Sequence, residues 1–131
     1  MRLRCTSFID HHDLNLFKDI GLITIEGLLK ACSTQTGRRA VALKINVEEE
    51  KVASWVSCFD LMRVNGDGDY IYLLLEVGIN NLSKLSRSCP QELNNKIAKL
   101  KNKNLFEELP PLEEVVCWIT KAQHLDEIVY H

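Results

Sequence analysis

The chain repeats itself. Laying Gly21 on Gly78, an offset of 57 residues, sets Leu16 on Leu73, Phe17 on Leu74 and Ile20 on Val77. Beyond the glycine, Leu22 meets Ile79, Ile25 meets Leu82, Leu28 meets Leu85, Cys32 meets Cys89 and Leu43 meets Leu100. A six-residue insertion around Leu109-Pro110-Pro111 then moves the offset to 63, and Val52 meets Val115, Trp55 meets Trp118 and Val56 meets Ile119. Repetition at a fixed period marks one supersecondary unit used twice. The two units, residues 8–62 and 63–126, fill almost all of the 131 residues. That length suits one domain, spanning 1–131, with a core that needs no staples.

Within each unit the apolar residues recur at helical spacing. Val52, Trp55, Val56, Phe59 and Met62 follow the i, i+3, i+4, i+7 pattern of one helix face. Asn46 is expected to cap that helix, with Glu48, Glu49 and Glu50 at its positive N-terminal end. Val115, Val116, Ile119 and Ala122 form the matching stripe, entered through Pro111. Leu93, Ile97 and Leu100 make another, with Pro90 suited to a first helical turn. Thr24 and Asn80 are expected to cap the helices that follow Gly21 and Gly78. The stretch nearest to a strand, Val41 to Val47, carries Ala, Leu and Lys, which favour helix. The expected fold is all-α, a compact single domain of seven to nine short helices joined by short loops.

Charge and cysteine content narrow the function classes. Sixteen basic residues against eighteen acidic ones leave a net charge of −2, so the whole surface does not attract nucleic acid and any anion site is local. No apolar run approaches the ~18 residues a membrane span needs, and Met1 to Thr6 lacks the apolar region of a secretory signal. The five cysteines, Cys5, Cys32, Cys58, Cys89 and Cys117, are an odd and scattered set with no CxxC pair. That argues for reduced thiols in a cytoplasmic setting and against a disulfide framework or zinc site.

Between two of the expected helices lies Val64-Asn65-Gly66-Asp67-Gly68-Asp69-Tyr70, and then Leu73 to Leu82 with Gly78-Ile79 inside it. This run resembles the helix-hairpin-helix motif, with Gly66 and Gly68 at the hairpin glycines and Gly78, Ile79 and Leu82 at the later positions. Over residues 8–125 the chain resembles a tandem helix-hairpin-helix domain family of unknown function, common in photosynthetic bacteria. Arg38-Arg39-Ala40, Trp55, Asp60-Leu61-Met62-Arg63 and Trp118 look like that family's recurring features. The resemblance implies two tandem helix-hairpin-helix-like units. It also implies a hairpin that meets the nucleic-acid backbone. Two glycines leave room for backbone N–H groups to approach a phosphate, and the next helix adds its free N–H groups and dipole. Such contact ignores base identity.

The hairpin departs from the motif. Asp67 stands where an apolar residue is usual and Asp69 where proline is common, and each carboxylate repels a phosphate by a few kcal/mol at close range in ε of about 20. In the first unit the hairpin positions are Ile9 and His11, so both glycines are absent. Lys96, Lys99, Lys101 and Lys103 form a basic run, which Lys84 and Arg87 could extend. Glu107, Glu108, Glu113 and Glu114 follow it directly, as they would beside a solvated helix face.

Other constellations are weaker. Asn65, Asp67, Asp69 and Glu76 sit at calcium-loop positions 1, 3, 5 and 12, but Tyr70 occupies the position that requires glycine. Asp10-His11-His12-Asp13 reads as a capped helix entry in preference to a metal site. Trp55 and Trp118 read as core. The expectation is a non-enzymatic module without cofactor or metal. One reading has it contact DNA or RNA backbone through Arg63, Gly66, Gly68, Lys84, Arg87, Lys96 and Lys99. The other is a protein-interaction or assembly module that has lost the phosphate site.

Overall fold

Several helix ends are set by short polar or glycine residues. The computed structural model describes residues 3, 8–65, 70–101 and 110–130. Among them are eight helices and no strand: α1 (His11–Asp19), α2 (Ile25–Ala31), α3 (Gln35–Ile45), α4 (Glu49–Asn65), α5 (Ile71–Glu76), α6 (Leu82–Ser86), α7 (Pro90–Lys101) and α8 (Leu112–His124). The all-α expectation therefore holds.

Four helices begin on a side-chain cap that accepts one of the first turn's unpaired N–H groups. Asp10 accepts from Asp13 N–H at 2.9 Å and Thr24 from Gly27 N–H at 3.0 Å. Thr34 accepts from Gly37 N–H at 3.2 Å, and Asn81 from Lys84 N–H at 2.8 Å. The α6 cap is thus Asn81 and not the expected Asn80. Thr24 and Asn81 are themselves 57 residues apart, so the repeat points to the correct asparagine.

Helices α1 and α5 end in the same closure. Gly21 N–H donates to Lys18 C=O and Leu22 N–H to Phe17 C=O; Gly78 N–H donates to Leu75 C=O and Ile79 N–H to Leu74 C=O. This is the Schellman arrangement, and it puts the glycine in the left-handed region, with φ of 87° at Gly21 and 89° at Gly78. Asn46 also adopts a left-handed conformation, φ 58°, and closes α3. It is therefore a C-terminal residue of α3 and not the expected N-cap of α4, whose first turn begins from the Glu48 carbonyl. Asparagine suits that role because its short side chain tolerates the left-handed region.

Helix α4 is central. It packs against α2 and α3 on one side and against α5, α6 and α8 on the other. The expected stripe, Val52, Trp55, Val56, Phe59 and Met62, is buried. So are Cys58 and Leu61 on the opposite face, because the second half of α4 has neighbours all round, whereas Lys51 and Ser54 in its first half are exposed. Helix α8 packs on α6 and α7, burying Val115, Trp118, Ile119 and Ala122. Val116, expected on the same stripe, is exposed, since it falls at the edge of that face. Phe17 meets Trp55 edge-on with ring centroids 5.7 Å apart, and Tyr70 meets Trp118 at 5.4 Å. Both tryptophans are core residues.

After α8 the chain turns back over the first unit. Val129 is buried, and Tyr130 N–H donates to Ser33 C=O at 2.7 Å. No helix is long and apolar enough to cross a membrane among the described residues.

Candidate nucleic-acid interface

Five of the seven residues expected to meet a nucleic-acid backbone can be placed. Gly66 and Gly68, with Asp67 and Asp69 of the calcium-loop spacing, lie outside the described residues, as do Lys103 and the Lys101 side chain. Arg63 sits in the last turn of α4, where a cation suits the negative end of the helix dipole. It is half-buried, and its Nη1 lies 3.1 Å from Oδ1 of Asp60 one turn earlier. Its charge is therefore partly matched within the fold.

Lys84 and Arg87 belong to α6 and its end and are exposed. The Nε of Arg87 donates to Ser83 C=O at 3.3 Å, which draws that side chain back along its own helix. Lys96 and Lys99 lie one turn apart on α7 and are exposed, Lys96 at the edge of the buried face of Leu93, Ile97 and Leu100 and Lys99 further round. Glu92 precedes Lys96 by four residues on the same exposed side, and an acid there weakens the local potential. Both α6 and α7 are anchored on α8, so the four exposed cations stand on successive elements of one scaffold.

Sequence reasoning does not single out Asp60 as a site residue. Its carboxylate is one of two charged side chains buried in the described core, the other being Arg38. Each is stabilised by a partner, as a buried charge must be. Arg63 pairs with Asp60, and Arg38 Nη1 donates to Cys32 C=O at 3.0 Å. The sequence signal is an acid inside the apolar run Cys58 to Met62 with an arginine three residues on.

The remaining candidates have structural roles. Asp10 caps α1, and the Asp13 N–H bond holds its carboxyl below the usual carboxylate range. Burial pushes the thiols of Cys32 and Cys58 up to about 11, so both stay protonated and unreactive near neutrality. Among the described residues no group of three or more His, Cys, Asp or Glu is placed to hold a metal ion.

A family model described as a domain of unknown function, DUF4332, matches residues 8–125. The chain belongs to the DUF4332 family. No curated protein and no solved structure matches it. The DUF4332 match begins just before the Asp10 cap of α1 and ends just after α8, so all eight helices lie inside it.

Proposed function

We propose that this DUF4332 domain is a non-enzymatic module that contacts nucleic-acid backbone without regard to sequence. The reading rests on the likeness of residues 64–82 to a helix-hairpin-helix motif. The observation that best supports it is the exposure of Lys84, Arg87, Lys96 and Lys99 on consecutive elements α6 and α7. In this reading Gly66 and Gly68 let backbone N–H groups reach one phosphate, and the lysines and Arg87 meet neighbouring phosphates as point charges. Arg63, paired with Asp60 and three residues before Gly66 in sequence, would add a further cation to the same contact.

A second reading is a protein-interaction module on the same scaffold. It is favoured by the exposed apolar residues Leu112 and Val116, one turn apart on α8. Fluorescence anisotropy with labelled single- and double-stranded DNA, at low and at physiological salt, separates the two. Backbone contact predicts binding that falls steeply with salt and drops further in Lys96→Gln and Lys99→Gln. Absence of binding at low salt would overturn it and favour the protein-interaction reading.

A further inference from the structure

Residues 125–130 follow α8 as an extended segment tied to the first unit. We infer that this segment is a releasable strap with two states. One is extended and docked. In the other, residues 125–128 wind on as a further turn of α8. The charge at position 126 selects between them. The inference does not depend on nucleic-acid binding.

The internal repeat supplies the comparison. At the offset of 63 residues that sets Trp55 on Trp118, Glu49 falls on Leu112, and these are the first residues of α4 and α8. The two helices start in register but do not stop in register. Helix α4 runs to Asn65, the counterpart of Ile128, whereas α8 stops at His124. The last turn of α4 holds Arg63, a cation at the negative end of the dipole, paired with Asp60 at 3.1 Å. The counterparts of Asp60 and Arg63 are Gln123 and Asp126. The same turn of α8 would therefore carry an acid at the negative end, with a second acid, Glu127, beside it. No glycine or proline stops α8, since none lies between Leu112 and Tyr130. Nor does α8 have the left-handed closure that ends α1, α3 and α5. The apolar series Trp118, Ala122, Leu125 continues to Val129 at helical spacing, so a longer α8 would keep its apolar face.

The docked state is lightly held. Among the described residues one backbone hydrogen bond, Tyr130 N–H to Ser33 C=O, joins the strap to the first unit. Val129 is buried, while Leu125 and Ile128 are half-buried. Segments with so few contacts open locally, well below the free energy of global unfolding. Release would free the Ser33 carbonyl and withdraw Glu127 and Val129 from a cleft whose other walls include Asp60 and the start of α6.

Hydrogen exchange and backbone NMR shifts of the full chain test the inference. With intrinsic rates divided out, the Tyr130 amide of the parent should exchange at least about a hundredfold faster than the Ala122 amide within α8. Asp126→Arg should move the Cα shifts of residues 125–128 to helical values and speed Tyr130 exchange by a further factor of about ten. Asp126→Pro should slow Tyr130 exchange below that of the parent, because proline bars the helical state. The docked state accepts it: Leu125, at φ −79° and ψ 141°, already has the conformation favoured before proline, and no bond among the described residues uses the Asp126 N–H. Tyr130 exchange as slow as that of Ala122 in the parent would overturn the inference. So would extended shifts retained in Asp126→Arg, or faster exchange in Asp126→Pro. Coil-like shifts in Asp126→Arg would overturn it too, because the strap would then fray without winding.

Discussion

Tyr130 donates its backbone N–H to the carbonyl of Ser33 at 2.7 Å, joining the segment after α8 to the turn between α2 and α3. The neighbouring Val129 is buried, whereas the Tyr130 side chain is more than half exposed. Val129→Ala should therefore destabilise the domain by about 1–2 kcal/mol through lost contact and a small cavity. Tyr130→Ala keeps the backbone bond and should change stability far less. Urea unfolding midpoints of the two variants test this contrast.

The left-handed glycines give a second contrast. A methyl group at Gly21 or Gly78 meets no neighbour, so Gly21→Ala and Gly78→Ala should each cost only the conformational strain, about 1–2 kcal/mol. Gly37→Ala is a different case. A Cβ there would run into the backbone carbonyl of Ala31, and backbone cannot step aside cheaply. Thermal unfolding should rank Gly37→Ala as the most damaging of the three.

The Asp10 cap makes stability depend on pH. Its bond from Asp13 N–H lowers the folded-state pKa below the ordinary 3.8. A lowered folded pKa means that the contribution is fully present above the unfolded value and is lost as pH falls through the folded one. Asp10→Ala should be less stable than the parent at pH 6, and the gap should close in acid below that folded value. Asp10→Asn, which keeps a side-chain oxygen, should show little of this dependence. Chemical denaturation at several pH values measures it.

Thiol reactivity should divide the described cysteines by burial. Cys89 and Cys117 are exposed and Cys32 and Cys58 are buried. Iodoacetamide at neutral pH, followed by peptide mass spectrometry, should label the first two in the folded protein and the second two only after denaturant is added. Rapid labelling of Cys58 would mean that the second half of α4 is not packed on all sides.

Helix periodicity makes much of this fold legible in the amino-acid order. The stripes of α4 and α7 are complete, because a 3.6-residue period survives wherever one face meets a core. A stripe does not reveal a helix whose second half has neighbours all round, and so Cys58 and Leu61 escape it. The pairing of Leu43 with Leu100 fails as well. Leu43 is exposed while Leu100 is buried, and the buried positions of α3 are Arg38, Val41, Ala42 and Ile45. The register between the units slips at the turn before α3 and α7, where α3 starts at Gln35 and α7 already at Pro90. Cys32 and Cys89 match in sequence yet differ in burial: Cys32 closes α2, whereas Cys89 stands directly before α7. Of the candidate site, the lysines are legible as a charge run. The Asp60–Arg63 pair is not, since a short sequence spacing does not say which way a carboxylate turns.

The contacts of α4 with α2, α3, α5, α6 and α8 have a thermodynamic consequence. Arrays of like units commonly lose structure piecemeal, each unit resting on its own stability and on the interface to the next. Here the helix that completes the core of α2 and α3 also supplies the surface on which α5, α6 and α8 rest. Removing it unmakes both sides at once. The domain should melt in a single cooperative transition, and neither half has a free energy of unfolding of its own to measure.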